Sequence, residues 1–307
     1  MKSRPGLEAA LAALLSAWFG AAGCCEGSPV IIDTDMALDD VRAIALLACS
    51  KTLEIKAVVT SDGAAGAAAG YENALAVLAI LDLDHVPVGM GRPLDAPPPP
   101  WRGLSDALGW SPMGSAGTPG RSPAETVAVV SSTLDGSAAP VDYICLGPLT
   151  NLAQVLREKP ALATRIARVL YVGSKRADPT PGWNTLRDTE GADRVLGADL
   201  TVYQFDLEEP NVLRFDSGLW QEVGRIDTVP SNLIYDLHRD SRVQALLRER
   251  HFCAWDETVA LYLHAPTIAS TEPLPGRPRG LRIGGVDVDA ARNTYLAILR
   301  RGRAGRS

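Results

Sequence analysis

The sequence has few of the side chains that build disulfide frameworks or zinc sites. It contains five cysteines and four histidines among 307 residues. Cys24 and Cys25 lie near the start, whereas Cys49, Cys145 and Cys253 lie in apolar runs, where cysteine packs as a small core residue. Their spacing matches neither a zinc site nor a disulfide pattern. The three later cysteines are therefore read as core residues.

The sequence also lacks an excess of positive charge and any internal repeat. Its formal net charge is −6 and its isoelectric point is near 5.3, which argues against nucleic acid as a partner. The arginines at 300–306 are read as a solvated chain end. With 46% hydrophobic residues, the chain is long enough for one large α/β domain or two small ones.

The first 28 residues form a segment that we separate from the fold. Two positive charges precede an apolar stretch that ends at Ala-Gly-Cys24, and small residues directly before a cysteine resemble a bacterial lipoprotein signal. We therefore expect a domain at 29–307 and an exported protein, either periplasmic or anchored to the membrane by a lipid at Cys24. An uncleaved helix or a mistaken start codon would instead leave the protein in the cytoplasm.

Four carboxylates follow one short apolar run, and the rest of the chain is organised around them. Val30–Ile32 is typical of a strand in the middle of a parallel sheet. Asp33, Asp35, Asp39 and Asp40 come next, before a stretch with an apolar face at helical spacing. The acids should therefore lie at the carboxyl end of a strand and in the first turn of a helix, where open α/β sheets bind ligands.

Such closely spaced carboxylates repel one another and need a counter-charge. A helix N-terminus favours Asp39 and Asp40, but it does not neutralise the whole cluster. A hard divalent cation does, and oxygen ligands without nearby histidine or cysteine indicate calcium or magnesium rather than zinc. The alternative is a capped helix whose acids are solvated.

The remainder of the sequence alternates between strand and helix patterns. This alternation predicts an α/β fold with an open, doubly wound, mostly parallel sheet. Strands are predicted at 53–60, 86–91, 141–147, 168–174 and 200–207, with a terminal hairpin or edge strand at 281–289. Helices are predicted at 71–81, 122–134, 189–196, 216–223, 231–249 and 256–263. A loop rich in proline and glycine covers 95–120, and long loops of this kind are often lids over a site.

These motifs together resemble the inosine–uridine-preferring nucleoside hydrolases. VIIDTDMALDD matches the DxDxxxDD signature of that family, and CLGPLTNLAQVL at 145–156 matches its GPLTNLA segment. GWNTLRDTEGADRVL at 182–196 and WDETVALYLHAP at 255–266 resemble its later segments, in the family order. The resemblance spans about 29–290 and implies the Rossmann-like nucleoside hydrolase fold, with hydrolysis of the N-glycosidic bond of ribonucleosides or related N-ribosides.

The resemblance also implies roles for individual residues. Asp35, Asp40, the backbone carbonyl of Thr150 and Asp256 would ligate Ca²⁺, with Asp33 behind the metal as a hydrogen-bond acceptor. Without the resemblance, Thr150 and Asp256 would be read simply as helix-capping residues. Asp35 would also take a proton from a water polarised by calcium.

Further residues are implied for the sugar, and the family suggests how the chain assembles. Asp39 would hold ribose hydroxyls, and Asn184 would be another sugar contact. The same resemblance implies a homo-oligomer, either a dimer or a tetramer.

The sequence departs from the family pattern where the sugar and the leaving group should bind. The asparagine of the family pattern is either replaced by Ala64 or lost, Gly182 replaces a glutamate, and Trp183 replaces a phenylalanine. Trp255 stands where a histidine often precedes the late aspartate. These changes put ordinary purine and pyrimidine ribonucleosides in doubt as substrates, and His238 is a candidate for the missing leaving-group acid.

Four tryptophans are candidates for an aromatic wall against a flat leaving group, with core packing as the alternative for each. They are Trp101, Trp110, Trp183 and Trp255.

Two other functions stay open at this point. A nucleoside hydrolase fold that has lost the sugar and leaving-group contacts would bind its ligand without turnover. A haloacid-dehalogenase-like phosphohydrolase also begins with an apolar run and DxD, but that pattern requires Thr or Val where Ala37 stands. It also gives no reason for the Asp39-Asp40 pair, so we rank it below the others.

Overall fold

The computed structural model describes residues 27–107, 123–174, 182–249, 252–277 and 279–305. In these residues one nine-stranded sheet runs in the order β4-β3-β2-β1-β5-β6-β7-β9-β8. Only β8 is antiparallel to its neighbour. The strands are β1 (Ser28–Thr34), β2 (Leu53–Thr60), β3 (Val88–Met90), β4 (Ala124–Glu125), β5 (Val141–Cys145), β6 (Ile166–Val172), β7 (Val202–Phe205), β8 (Ala269–Pro273) and β9 (Leu281–Val286).

Twelve α-helices connect or cover these strands within the described residues. They are α1 (Leu38–Ala48), α2 (Ala67–Ile80), α3 (Arg102–Ala107), α4 (Thr126–Gly136), α5 (Thr150–Glu158), α6 (Trp183–Arg187), α7 (Thr189–Gly197), α8 (Ser217–Val223), α9 (Val229–Leu237), α10 (Ser241–Arg248), α11 (Glu257–His264) and α12 (Val288–Leu299). In the part of the chain that the structure describes, no helix is both long enough and apolar enough to cross a lipid bilayer.

The apolar run before the acids forms the centre of the sheet. Val30, Ile31 and Ile32 are fully buried in β1, which pairs with β2 on one side and β5 on the other. Because side chains alternate along a strand, Val30 and Ile32 join the core on one face and Ile31 joins the core on the other. Helices cover both faces, so the predicted doubly wound α/β fold is confirmed.

Three predicted helices differ in extent from the observed ones. The helix expected over 71–81 begins at Ala67. The helix expected to start at Ser122 begins at Thr126, because Ala124 and Glu125 instead pair with β3. The helix expected over 231–249 is two helices, α9 and α10. Asp240 separates them, since its side chain accepts a hydrogen bond from the backbone N–H of Arg242 and starts a new helix.

The C-terminal part holds more structure than the sequence pattern indicated. The segment predicted as a terminal hairpin or edge strand holds one strand, β9, which is not at the edge because β8 pairs outside it. Strand β8 was not predicted. Helix α12 follows β9 directly and was not predicted. Its N-cap is Asp287, which accepts a hydrogen bond from the backbone N–H of Ala290.

The N-terminal segment of residues 1–26, with Cys24, lies outside the described residues. Export and lipid attachment therefore stay predictions. Within the described residues β1 starts at Ser28, whose N–H donates to the carbonyl of Thr52 at 2.7 Å. Trp110 also lies outside the described residues.

Candidate active site

A tight turn joins β1 to α1 beside the first acids. Asp33 and Asp35 come at the end of β1, and Met36 follows with φ at 55°, a conformation that is uncommon for a residue with a side chain. The N–H of Met36 donates to the Thr34 hydroxyl at 3.0 Å. This strained turn is held by packing, since Met36 is fully buried, and strain of this kind is often found at functional sites.

Asp40 is the best-anchored acid of the cluster. One of its oxygens accepts from the Thr34 hydroxyl and from the backbone N–H of Asp35 at 3.1 Å. The other accepts from the backbone N–H of Ala37, also at 3.1 Å. Because Asp40 lies in the first turn of α1, the free N–H groups and dipole of that helix add to these bonds.

A distant part of the chain completes the cluster. Asp39, Asp40 and Asp256 each direct a carboxylate oxygen to one place, and these oxygens lie within 4.8 Å of one another. Asp256 immediately precedes α11, more than 200 residues after the other two. The structure thus brings together Asp40 and Asp256, two of the predicted ligands, and adds Asp39, which the sequence had linked to the sugar.

Burial makes this concentration of charge costly. Burial and, to a smaller extent, the charge of Asp40 raise the pKa of Asp35 well above its usual range. Burial, then the charge of Asp39, does the same for the pKa of Asp256. The pKa of Asp39 is raised to about 6, chiefly by burial and despite the nearby Arg42. The acids therefore lack a sufficient counter-charge among their own neighbours.

The donor set fits a hard divalent cation. The three converging groups are carboxylates, and the adjacent Asp35 adds another. Oxygen-only donors are the ligands that calcium and magnesium prefer, and a divalent charge would offset the mutual repulsion. The site therefore suits a metal of this class.

Asp33 has a different environment from the converging acids. It is fully buried, and it accepts hydrogen bonds from the Tyr143 hydroxyl at 2.7 Å and the Asn151 amide at 2.9 Å. Burial raises its pKa to about 7, although these two bonds act in the opposite direction. Asp33 thus links β1 to β5 and to α5, the helix that starts with Thr150.

Backbone groups of two loops pack closely against Asp35. Its carboxylate accepts from the N–H of Ala64 at 2.8 Å. An added Cβ would lie 2.0 Å from the Asp35 carboxylate at Gly63, and 2.9 Å from the Asp35 nitrogen at Gly147. Gly147 belongs to the GPLT segment, so this contact brings Thr150 to the same edge of the sheet. Thr150 is buried there.

Asn184 ties the ends of β5 and β6 together. Its amide nitrogen donates to the carbonyls of Leu146 at 2.5 Å and Val172 at 3.0 Å. The side-chain oxygen is the atom that remains to accept a bond from a ligand hydroxyl. This geometry is compatible with the sugar contact that the family resemblance implies.

Two of the candidate tryptophans form a pair at the surface. The rings of Trp101 and Trp183 lie 4.9 Å apart at 60°, and the residues are 46% and 39% exposed. Because both side chains are substantially exposed, this pair is not core packing. Trp255 is half-buried beside Asp256.

His238 has no ring nitrogen available to a ligand. It is fully buried; Nδ1 faces the Ile234 carbonyl at 2.8 Å, and Nε2 faces the Arg42 guanidinium at 3.1 Å. Burial, with the neighbouring Arg42, lowers its pKa to about 3. The structure therefore places His238 as a neutral packing residue, away from the role of leaving-group acid.

Two buried ionic groups near the site have no local sequence signal. Arg42 pairs with Glu257, and Asp62 pairs with both Arg102 and Arg187. The partners are 40 to 215 residues apart. These pairs form only because the fold brings distant parts of the chain together, so they are visible only in the structure.

Comparison with known proteins agrees with this geometry. A sequence model described as inosine-uridine preferring nucleoside hydrolase matches residues 30–300. The chain is 29% identical over 248 residues to the pyrimidine-specific ribonucleoside hydrolase RihA of Salmonella typhi, covering 74% of this chain and 78% of that one. The same values hold for RihA of Salmonella paratyphi B.

Solved structures share the fold at low sequence identity. A plant nucleoside hydrolase, the PpNRh1 enzyme, superposes with a TM-score of 0.74 at 19% identity, covering 90% of this chain and 99% of that one. A purine-preferring ribonucleoside hydrolase from Gardnerella vaginalis gives 0.73 at 18% identity, covering 89% and 98%. These matches support neither the phosphohydrolase nor the non-enzymatic alternative. The chain therefore belongs to the inosine-uridine preferring nucleoside hydrolase family, and so to the glycosidases that hydrolyse N-glycosyl bonds.

Proposed function

We propose that this chain hydrolyses the N-glycosidic bond of ribonucleosides or related N-ribosides in a calcium-dependent reaction in which Asp35 activates water. The convergence of Asp39, Asp40 and Asp256 on one place beside Asp35 carries this proposal. The family membership supports the reaction class, and the oxygen-only donor set supports the ion.

Asp35, Asp40, Asp256 and the Thr150 carbonyl are the residues proposed to hold Ca²⁺. When bound, the ion would lower the pKa of water and hold vicinal hydroxyls of the sugar. Asp39, which is partly exposed at the same cluster, is proposed to accept hydrogen bonds from ribose hydroxyls.

Asp35 suits the role of general base in this arrangement. The backbone N–H of Ala64 fixes one of its oxygens at 2.8 Å, which leaves the other oxygen to take a proton from the attacking water. A base works best when its pKa is near the working pH, and burial raises the pKa of Asp35 in that direction. The surrounding carboxylates would stabilise positive charge that develops on the sugar ring as the bond breaks.

The leaving group is proposed to be a flat ring. Trp101 and Trp183 offer aromatic surface at the edge of the site, and Trp255 stands next to Asp256. An indole does not donate a catalytic proton and His238 is enclosed, so we expect preference for leaving groups that depart without protonation by a side chain. A dimer or tetramer remains the expectation from the family resemblance.

Two variants should separate the base from the metal ligands. Asp35→Asn is nearly isosteric and keeps one ligand oxygen, but the amide takes no proton, so kcat should fall by about 10² to 10⁴-fold at saturating calcium. Asp40→Ala should act mainly by weakening metal binding, so excess calcium should partly restore it. Release of reducing sugar from a panel of nucleosides measures both effects.

Calcium titration of each variant by calorimetry supplies the control. We expect a weaker affinity for Asp40→Ala than for Asp35→Asn. Near-normal turnover by Asp35→Asn would overturn the role of Asp35. Dialysed protein that holds no calcium and gains none on titration would overturn the metal assignment.

A further inference from the structure

An ionic cluster beside the acids joins three separate parts of the chain. Asp62 follows β2, Arg102 is the first residue of α3, and Arg187 is the last residue of α6. We call these three residues the Asp62 cluster. It is enclosed, since the side chains of Asp62 and Arg187 are 7% and 3% exposed and that of Arg102 is 16% exposed. Ion pairs so shielded from water depend on their geometry and remaining hydrogen bonds.

The hydrogen bonds of the cluster are nearly complete. One oxygen of Asp62 accepts from both guanidinium groups, at 2.7 Å from Arg187, and the other accepts from the N–H of Leu94 at 3.1 Å. These donors hold the pKa of Asp62 below its usual range even though burial acts in the opposite direction. Arg187 also donates to the carbonyl of Pro97 at 2.6 Å. The segment 94–97 is thereby attached to α6.

The same cluster fixes the loop that orients the proposed base. Arg102 donates to the carbonyls of Gly63 at 2.7 Å and Ala64 at 3.1 Å. The N–H of Ala64 in turn donates to the Asp35 carboxylate. Arg102 thus holds the peptide groups that position Asp35, although it does not contact that residue itself.

The cluster also determines where the two exposed tryptophans meet. Trp101 precedes Arg102 directly, and Trp183 lies one helical turn before Arg187 in α6. The two rings come from segments 82 residues apart in sequence, and they touch at 4.9 Å although both are substantially exposed. Arg102 and Arg187, which lie in sequence beside these tryptophans, both bind Asp62, so the Asp62 cluster joins the two segments that carry the rings.

We propose that Asp62, Arg102 and Arg187 are positioning residues that assemble Trp101 and Trp183 into one aromatic surface for the leaving group and hold the Ala64 peptide against Asp35. The part about the leaving group rests on the proposed function, whereas the assembly of the tryptophan pair does not. The leaving group selected by such a surface is a flat aromatic ring, because stacking on indole requires a planar partner.

The tryptophan pair provides a direct spectroscopic test. Closely spaced tilted indoles give an exciton couplet in circular dichroism, and the difference between the wild-type and Trp101→Phe spectra defines the signal of this pair. It also removes the contribution of Trp220, which stacks on Tyr235. Arg102→Met and Asp62→Asn should lose most of the couplet.

The control is Arg168→Met. Arg168 pairs with Asp142 at 2.8 Å and is 29% exposed, but it lies in β6 away from the Asp62 cluster. This variant should keep the couplet. A couplet that persists in folded Arg102→Met and Asp62→Asn would overturn the assembly part of the proposal. Arg102 is the more exposed arginine, so its variant should remain folded if Asp62→Asn does not.

Kinetics with two matched substrates test the link to the leaving group. Uridine has a planar base, whereas the base of 5,6-dihydrouridine is saturated and puckered. For Arg102→Met we expect KM to rise about tenfold for uridine, the loss of one good stacking contact, with a smaller rise for dihydrouridine. Equal KM changes for both substrates would overturn the selection of planar groups. Absence of turnover on either substrate by the wild-type protein would count against the proposed function, and the couplet would still decide the assembly of the pair.

Discussion

At the scale of single residues, the geometry of the site depends on two glycines. Gly63 and Gly147 lie against Asp35 so closely that an added Cβ would collide with it. Gly63 thus lets the chain pass directly beside the carboxylate, and Gly147 lets it pass beside the Asp35 nitrogen and Cβ. Ala64 contributes its N–H to the Asp35 carboxylate.

We therefore predict a strong effect from one methyl group. Gly63→Ala would put a carbon 2.0 Å from the Asp35 carboxylate, so that side chain must move by about an ångström. A misplacement of this size commonly costs about 10²-fold in rate. The measurement is kcat at saturating calcium. Gly136→Ala is the matched control, because its added Cβ would meet nothing within 4 Å. Equal rates for the two variants would contradict this account of Asp35.

At the scale of elements, a buried ion pair joins the two helices that present the acids. Arg42 in α1 and Glu257 in α11 are both fully buried and form a hydrogen-bonded pair. Arg42 also donates to His238 and to the carbonyl of Cys253 at 3.2 Å, and its guanidinium lies 4.5 Å from the centre of the Phe215 ring. Because Asp40 lies in α1 and Asp256 directly precedes α11, this ion pair holds the two acids near one another.

The two partners of this pair should differ in their response to mutation. Glu257→Met leaves a guanidinium that does not lose its charge, and an unpaired buried charge costs about 3 to 5 kcal/mol. Arg42→Met should cost less near neutral pH, because burial raises the pKa of Glu257 to about 7 and allows it to take up a proton. Urea unfolding of the metal-free protein measures both free energies.

The control for this prediction is an exposed pair. Glu190→Met removes the partner of Arg194. These two residues form an ion pair at 4.0 Å within one helix, and their side chains are 86% (Glu190) and 43% (Arg194) exposed. Pairs of this kind contribute about 0 to 1 kcal/mol. The double variant of Arg42 and Glu257 should be more stable than Glu257→Met alone. If Glu257→Met costs no more than Glu190→Met, the pair does not hold the two helices.

At the scale of the whole molecule, the buried acids make stability depend on pH in an unusual direction. The pKa values of Asp33 and Glu257 are raised to about 7 and that of Asp39 to about 6, chiefly by burial. In metal-free protein these groups keep protons that the unfolded chain has already lost. The folded state then binds more protons, so the free energy of unfolding should fall as pH rises from about 4 to about 7.

His238 contributes with the opposite sign over a lower range. Its pKa is lowered to about 3 from an ordinary value of 6.5, so between these values the unfolded chain binds a proton that the folded chain does not. That contribution to stability grows as pH rises and is complete above about 6.5. The window from about pH 6.5 to about pH 7.5 therefore isolates the carboxylates.

We predict that the melting temperature of metal-free protein falls across that window and that calcium reverses the fall. Metal binding requires ionised carboxylates, so the increase produced by calcium should be larger at the higher pH. Calorimetric scans with chelator and with saturating calcium measure both. If the melting temperature of the metal-free protein rises with pH instead, the pKa values of these buried acids are not raised as the structure indicates.

Much of the fold was determined by local sequence pattern. The apolar run before Asp33, the strand and helix alternation, and the helical spacing after Asp40 all act over a few residues, and they predicted the doubly wound sheet. The predictions fail where the structure of a segment depends on a strand or helix that is distant in sequence. Ala124 and Glu125 form an edge strand only because β3 is beside them, and no local pattern records that pairing.

The same division applies to the site. Local pattern predicted Asp39 and Asp40 as site residues, because they lie at a helix start directly after a buried strand. Asp256 was predicted only through the resemblance to the family, since its local pattern indicates a helix cap. Only the tertiary structure decided that His238 is enclosed by Arg42, and that Asp62 meets Arg187 across 125 residues. Burial and long-range ion pairing depend on which chain segments become neighbours in space, and a local sequence pattern carries no information about the distance between remote segments.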